Sequence, residues 1–129
     1  EIDKDCKEPI ITILPGQENK RIGGSMRLGS CVAELQENSQ VAKIYGKNKI
    51  TERHRHRFEV NPKYHSILKE KGLGLSGLDP TGELLEFIEI KNHPFFIGTQ
   101  AHPELKSKLL TPHPLFVEFV KKAKEKKEK

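Results

Sequence analysis

His102 and Glu104 stand two positions apart with Pro103 between them. Proline fixes its own φ, so it stiffens the link between the imidazole and the carboxylate. A carboxylate that accepts a hydrogen bond from one ring nitrogen orients the ring and leaves the other nitrogen free as a general base. The plainer reading of a His-Pro-Glu triplet is a capped turn. A second constellation is the run Glu52-Arg53-His54-Arg55-His56-Arg57, followed by Phe58, Glu59, Val60 and Asn61. On a strand, alternation puts Arg53, Arg55 and Arg57 on one face and His54 and His56 on the other. Three guanidiniums on one face repel, so some should meet carboxylate or phosphate groups, and one could clamp an anionic substrate in bidentate fashion. The plainer reading is a charged edge strand that resists aggregation. His54, His56 and His102 could in principle share a transition metal. No Cys or Asp spacing matches a structural zinc pattern, and no metal is assigned.

The surrounding pattern says what must position these groups. Pro9 to Leu14 is a short β-branched run closed by Pro15-Gly16, which predicts a strand covered on both faces. Gly23 to Gly29, "GGSMRLG", reads as a tight loop, with a strand from Ser30 to Leu35. Val41, Ile44 and Tyr45 predict a short helix over Gln40 to Tyr45. "ITERHRHRFEV" alternates enough to be a strand. Tyr64, Ile67 and Leu68 predict a helix over Pro62 to Lys71, with Asn61 as cap and Gly72 as stop. From Leu73 the period changes to two. "LGLSGLD", the turn Asp79-Pro80-Thr81-Gly82 and "ELLEFIEI" then predict a hairpin. The run Phe95 to Thr99 leads straight into "QAHPE", placing His102 just beyond the C-terminal end of a strand, where ligands of open α/β sheets collect. Pro114 to Lys127 predicts a helix with Leu115, Phe116, Phe119 and Val120 on one face.

Bulk composition narrows the class. The chain has 129 residues, 34% hydrophobic and 32% charged, with no Trp. That is enough for one domain and one core, but lean for a self-sufficient one. The formal charge of +5 is concentrated in Lys121, Lys122, Lys124, Lys126, Lys127 and Lys129, which reads as a solvated helix end over 121–129. Cys6 and Cys31 make no dense disulfide framework, no apolar run reaches the roughly 20 residues that span a bilayer, and the first residues lack a signal-peptide core. A soluble, cytoplasmic protein with reduced thiols is expected, with no membrane partner.

Four segments, "GGSMRLG", "ERHRHRFEVN", "HPFFIGTQAHPE" and "HPLFVEFVKKA", occur in an order and spacing that resemble the end of CTP synthases, from about Pro9 to Lys122. "ERHRHR" is the most specific of them, since other class I glutamine amidotransferases share the His-Pro-Glu but not that run. The resemblance implies an α/β fold: part of an open, mostly parallel sheet with flanking helices and a β-hairpin, incomplete on its N-terminal side. The whole of 1–129 would be one partial amidotransferase domain. It implies a glutaminase in which a cysteine thiolate attacks the side-chain amide of glutamine, and the released ammonia aminates UTP to CTP in a separate synthetase domain. His102 matches the triad's base and acid, Glu104 its orienting carboxylate, and Arg57 the residue that holds the glutamine α-carboxylate. Ser25 and Arg27 match a loop implicated in coupling GTP activation to glutamine hydrolysis, with Ser25 where the family has Thr. The implied parent enzyme uses ATP and Mg, takes GTP as activator and forms a homotetramer through the synthetase domain. No cofactor is implied for this chain.

The sequence departs from the family in several places. The nucleophile's Gly-x-Cys-x-Gly elbow is absent, and neither Cys6 in "DKDCKEP" nor Cys31 in "GSCVAE" has the glycines such a turn needs. The oxyanion hole that belongs with the elbow is absent with it. Ala101 stands where the family carries an aromatic residue, and Leu105 where Phe is common. The chain alone is therefore expected to be inactive. An alternative is a stand-alone, non-catalytic module on the same scaffold that binds a partner or an anionic ligand. A nucleic-acid binder driven by the lysine tail and arginine run lacks the interleaved aromatic residues that stack on bases, and no nucleic acid partner is assigned.

Overall fold

The computed structural model describes residues 5–13 and 26–128. Strand β2 (Arg27–Leu35) and strand β3 (Lys49–His56) form a long antiparallel pair. Between them lies helix α1 (Gln40–Tyr45), which Ser39 opens by accepting from the Ala42 amide at 3.0 Å. Gly46, at φ 66°, closes it in the left-handed conformation that glycine adopts at low cost. Strand β4 (Glu59–Val60) pairs with strand β1 (Ile11–Thr12) in a separate two-stranded ladder. A 3-10 turn over Pro62–Tyr64, capped by Asn61, runs into helix α2 (His65–Glu70), and Gly72 follows with φ 91°. Strands β5 (Gly74–Leu78), β6 (Leu85–Glu89) and β7 (Ile97–Thr99) complete a five-stranded sheet in the order β3-β2-β5-β6-β7. Helix α3 is Pro114–Lys127, with the His113 ring accepting from the Leu115 amide as its N-cap.

The α/β class holds, but every strand pairing among the described residues is antiparallel, where a mostly parallel sheet was expected. The connections explain this. Parallel neighbours need a crossover of a dozen or more residues that returns the chain to its starting end, whereas β5, β6 and β7 are joined by short turns that reverse its direction. The β5–β6 turn is held by Asp79, whose carboxylate accepts from the Glu83 and Leu84 amides and the Thr81 hydroxyl.

Two other expectations change. β2 begins at Arg27, so Arg27 to Gly29 belong to a strand where a loop was expected, and Gly23 to Ser25 lie outside the described residues. β1 has two residues and pairs only with β4, and Ile10 and Ile11 are about half exposed, so the apolar run from Pro9 is not covered on both faces by the described residues.

The core forms where the inner face of the sheet meets α1 and the start of α3. Ala33, Leu35, Val41, Ile50, Phe87 and Leu115 are its centre. Gly77 is required there: a Cβ on it would lie 2.9 Å from both the Leu35 and the Phe87 side chains. Of the predicted apolar face of α3, only Leu115 is buried, while Phe116, Phe119 and Val120 are exposed, although Phe119 touches the Phe95 ring.

The β5–β6 pairing slips twice, with Ser76 extra on β5 and Glu86 extra on β6. Such slips break the inside-outside alternation of a strand. Leu85, Glu86 and Phe87 are accordingly all buried, and a carboxylate enters the interior.

Candidate active site

His102 sits three residues beyond β7, as the sequence predicts. Its amide donates to the Arg53 carbonyl on β3 at 2.8 Å, and the preceding Ala101 amide donates to the Thr99 hydroxyl at 3.0 Å. The edge of β3 thus clamps the backbone that carries the imidazole. Pro103 starts a 3-10 turn ending at Leu105 that brings Glu104 back beneath the ring. His102 Nδ1 and Glu104 Oε1 are 2.6 Å apart. An ionised carboxylate only accepts, so Nδ1 carries the proton and the neutral ring leaves Nε2 bare. The bond from His102 holds the Glu104 carboxyl below its ordinary range, so the carboxylate form is the one present at neutral pH. The side chains of His102 and Glu104 are 37% and 57% exposed, which leaves the pair open to solvent. The departures next to this pair separate: Ala101 is buried, and Leu105 is exposed.

β3 has the predicted alternation. Arg53 and Arg55 face outward, and Glu52, His54 and His56 face the interior. The expected meeting of the arginine run with carboxylates does not occur among the described residues. Arg57, just past the strand, forms no ion pair there, and its buried Nε has no hydrogen-bond partner. That leaves a guanidinium available to an anion. The cation that does meet carboxylates is Arg27. Its guanidinium donates to Glu86 Oε1 at 2.6 Å and lies 3.4 Å from Glu59 Oε1. Burial opposes its charge, and the hydrogen bond and attraction from Glu86, with Glu59, outweigh the burial. Ser25 lies outside the described residues.

The structure also gathers polar groups that sequence reasoning missed. His54 Nδ1 and His56 Nε2 are 2.8 Å apart, and His56 Nδ1 is 3.0 Å from the Phe58 carbonyl. Gln100 donates to Glu59 at 2.8 Å and to the Leu85 carbonyl at 2.6 Å. On the other side of His102, buried Glu52 receives the His113 ring at 3.0 Å, the Tyr45 hydroxyl at 3.1 Å and the Lys106 ammonium at 3.4 Å. Burial, followed by the nearby Glu52 charge, pushes the Tyr45 hydroxyl far up. The segment bearing His102 is therefore tied to the sheet before it by Gln100 and after it by Lys106 and His113. The available signal was the odd presence of Glu52, Glu59 and Glu86 at otherwise inward-facing positions of strands.

Cys31 is a free thiol in the middle of β2, and Cys6 is free and exposed. Among the described residues no group of three or more His, Cys, Asp or Glu side chains is arranged to hold a metal, and no helix is long and apolar enough to cross a membrane. A cleft of about 800 Å³ is lined by Lys69, Lys71, Ser76, Glu89 and Lys91 among others, and none of His102, Glu104 or Arg57 borders it. The His102 pair stands on an open surface.

With this fold and this pair in view, the family model for class I glutamine amidotransferases matches residues 8–122, and the chain belongs to that family. Its similarity is to one branch in particular. It is 53% identical over 127 residues to a CTP synthase of Methanococcus maripaludis, covering 98% of this chain and 24% of that protein. It is 48% identical over 120 residues to a CTP synthase of Rubrobacter xylanophilus, covering 93% of this chain and 22% of that protein. The chain thus spans less than a quarter of the length of these relatives. The glutaminase domain of Trypanosoma brucei CTPS, solved with bound acivicin, superposes with a TM-score of 0.88 at 35% identity, over 97% of this chain and 49% of that one.

Proposed function

We propose that this chain is the His- and Glu-bearing part of the glutaminase domain of a CTP synthase. The observation that carries the reading is the 2.6 Å contact between His102 Nδ1 and Glu104, which leaves Nε2 bare and open to solvent. In this reading a cysteine thiolate supplied from outside the chain attacks the side-chain amide of glutamine. His102 takes the thiol proton at Nε2 and returns it to the departing ammonia, and Glu104 stabilises the imidazolium that forms in between. Arg57 holds the glutamine α-carboxylate, a role suited to a guanidinium with no carboxylate partner among the described residues. The ammonia then serves the ATP-dependent amination of UTP to CTP. ATP and Mg act in the synthetase domain, and no step in this chain runs through them. The parent enzyme is a homotetramer with GTP as activator.

The coupling role assigned to Ser25 and Arg27 takes a particular form. The Arg27 guanidinium is occupied by Glu86 and Glu59, so it anchors the start of β2 and does not itself grip a nucleotide phosphate.

Alone, the chain is inactive in this reading. Cys31 lies within a strand and Cys6 in an exposed irregular segment, and neither occupies the sharp strand-to-helix elbow that presents a nucleophile. The exposed Phe116, Phe119 and Val120 on α3 favour a part of a larger domain over a stand-alone binding module. The test is glutamate production from glutamine by the chain alone and by the complete domain, each with and without His102→Ala. Activity is expected only in the complete domain with His102 intact. Undiminished hydrolysis in the His102→Ala domain refutes the assignment.

A further inference from the structure

The interior behind the His102 segment contains a chain of four polar groups whose protons can be counted. It runs from the Phe58 carbonyl through His56 and His54 to Glu86. Gaps of 3.0 Å, 2.8 Å and 3.2 Å separate Phe58 O from His56 Nδ1, His56 Nε2 from His54 Nδ1, and His54 Nε2 from Glu86 Oε2. Both ends are acceptors, a carbonyl and a carboxylate oxygen. Each gap needs one proton, because otherwise two lone pairs face each other in the dry interior.

Two neutral imidazoles supply two protons, one fewer than the gaps. The Phe58 carbonyl cannot donate, so His56 must present Nδ1–H to it and offer a bare Nε2. His54 then donates from Nδ1 to His56, and its own Nε2 is left bare towards Glu86. The last gap is the one without its proton. Glu86 Oε2 is buried without a hydrogen-bond partner and lies 3.2 Å from His54 Nε2, off the axis of the ring nitrogen, so a proton bridges this gap from either side only after a small rotation of the carboxyl or the ring.

A separate tally of charge gives the same number. The groups facing this chain are Arg27 from β2, Glu59 from β4, Asp79 at the β5–β6 turn and His102 after β7. Asp79 is set aside because its carboxylate charge is held by the Glu83 and Leu84 amides and the Thr81 hydroxyl of its own turn; among the groups in mutual contact, Arg27 is positive and Glu59 and Glu86 are both acids. With both acids ionised and both imidazoles neutral, the site carries one uncompensated negative charge in a place that penalises it heavily. One added proton makes it neutral.

We propose that Glu86, His54 and His56 together hold one proton more than a carboxylate and two neutral imidazoles, forming a charge-neutral positioning unit behind the His102 segment. The extra proton lies on Glu86, as a carboxyl group donating from Oε2 to His54 Nε2, while Oε1 continues to accept from Arg27. Burial raises the Glu86 carboxyl against the pull of Arg27, and burial, reinforced by Arg27, lowers His54 to about 4, so both directions move the proton from the ring to the acid. The unit positions the site through the backbone. The Glu86 carbonyl accepts from the Gln100 amide at 3.3 Å, and Gln100 grips Glu59 two residues before His102.

The test is a proton count by nuclear magnetic resonance on the chain labelled with 15N in histidine and 13C in the glutamate carboxyl, near neutral pH. The expected result is Nδ1–H on both His54 and His56 with a neutral Glu86 carboxyl. A doubly protonated ring with an ionised Glu86 keeps the count at three but overturns the placement of the proton on Glu86. Two neutral rings beside an ionised Glu86 overturn the proposal. A second measurement uses Glu86→Gln, whose carbonyl can accept from Arg27 and whose amide can donate to His54. Its ring tautomers should match those of the parent and stay unchanged as the pH falls from alkaline through the ordinary imidazole value of about 6.5. Rings that titrate in this variant as exposed imidazoles do overturn it as well. Neither readout involves glutamine hydrolysis, so the proton count stands or falls independently of the catalytic reading.

Discussion

The molecule contains two histidine–glutamate contacts built from the same groups and set in opposite surroundings. His102 and Glu104 are 2.6 Å apart, aligned as a hydrogen bond and open to water. His54 and Glu86 are 3.2 Å apart, with side chains 1% and 0% exposed, and are not aligned as a bond from the ring. In the first, the hydrogen bond dominates and lowers the acid. In the second, burial dominates and raises it, even with Arg27 against it. Surroundings therefore decide which member of a His–Glu pair carries the proton: water keeps the carboxylate charged and leaves the imidazole as a base, whereas burial favours the neutral pair. The open pair suits chemistry on a substrate. The closed pair suits holding backbone in place.

The sharpest contrast comes from deleting one member of each pair. His102→Ala is expected to cut glutamine hydrolysis by the complete domain by about 10²–10⁴-fold, the usual contribution of general acid–base catalysis, while its melting temperature barely moves. Glu86→Ala should do the reverse at the level of the fold. It removes the closest acceptor of the Arg27 guanidinium and the donor to His54, leaving buried polar groups unpaired, and should cost about 1–3 kcal/mol in denaturant unfolding. If both substitutions destabilise equally, the distinction between an open and a closed pair fails.

pH sharpens the comparison further. The folded closed pair keeps its proton, whereas the unfolded chain releases the same proton once pH exceeds the ordinary imidazole value of about 6.5. The native state then binds more protons, so stability should fall with rising pH above that value, by up to about 1.4 kcal/mol per pH unit relative to Glu86→Gln. The open pair has the opposite sign. Glu104 is lowered on folding, so its contribution is present above the ordinary carboxylate range and fades as acid is added, a small effect because the group is exposed. Urea unfolding across pH, on the parent and on both variants, separates the two. Between these effects and none at all lies Gly77→Ala, at about 1–3 kcal/mol. Its Cβ would press on Leu35 and on Phe87, the neighbour of Glu86 at the register slip, but far in sequence and contact from the open pair, so it should leave the acid-side profile set by Glu104 unchanged.

Much of the architecture could be read locally. α1, α2 and α3 follow from apolar spacing and from the cap and stop residues beside them, and the β5–β6 hairpin from period two around Asp79-Pro80-Thr81-Gly82. The His102–Glu104 contact was legible because both groups lie on one proline-stiffened turn, so a separation of two residues nearly dictates their meeting. The alternation of β3 correctly separated arginines from histidines for the same reason: it depends only on the pleat.

What the chain's order alone could not decide was anything made across distance. Arg27 meets Glu86 only because β2 and β6 lie in one sheet, and no local period links two residues 59 positions apart. The antiparallel direction of the sheet, the bulge that turns Glu86 inward against the pleat, and the three-gap proton chain arise from how strands register against each other. Residue types and short spacings determined the helices, the turns and the open His–Glu pair, since those depend on neighbouring dihedrals. Burial is a property of the assembled fold, so only the tertiary structure could turn an otherwise ordinary Glu86 and His54 into a pair from which water is excluded.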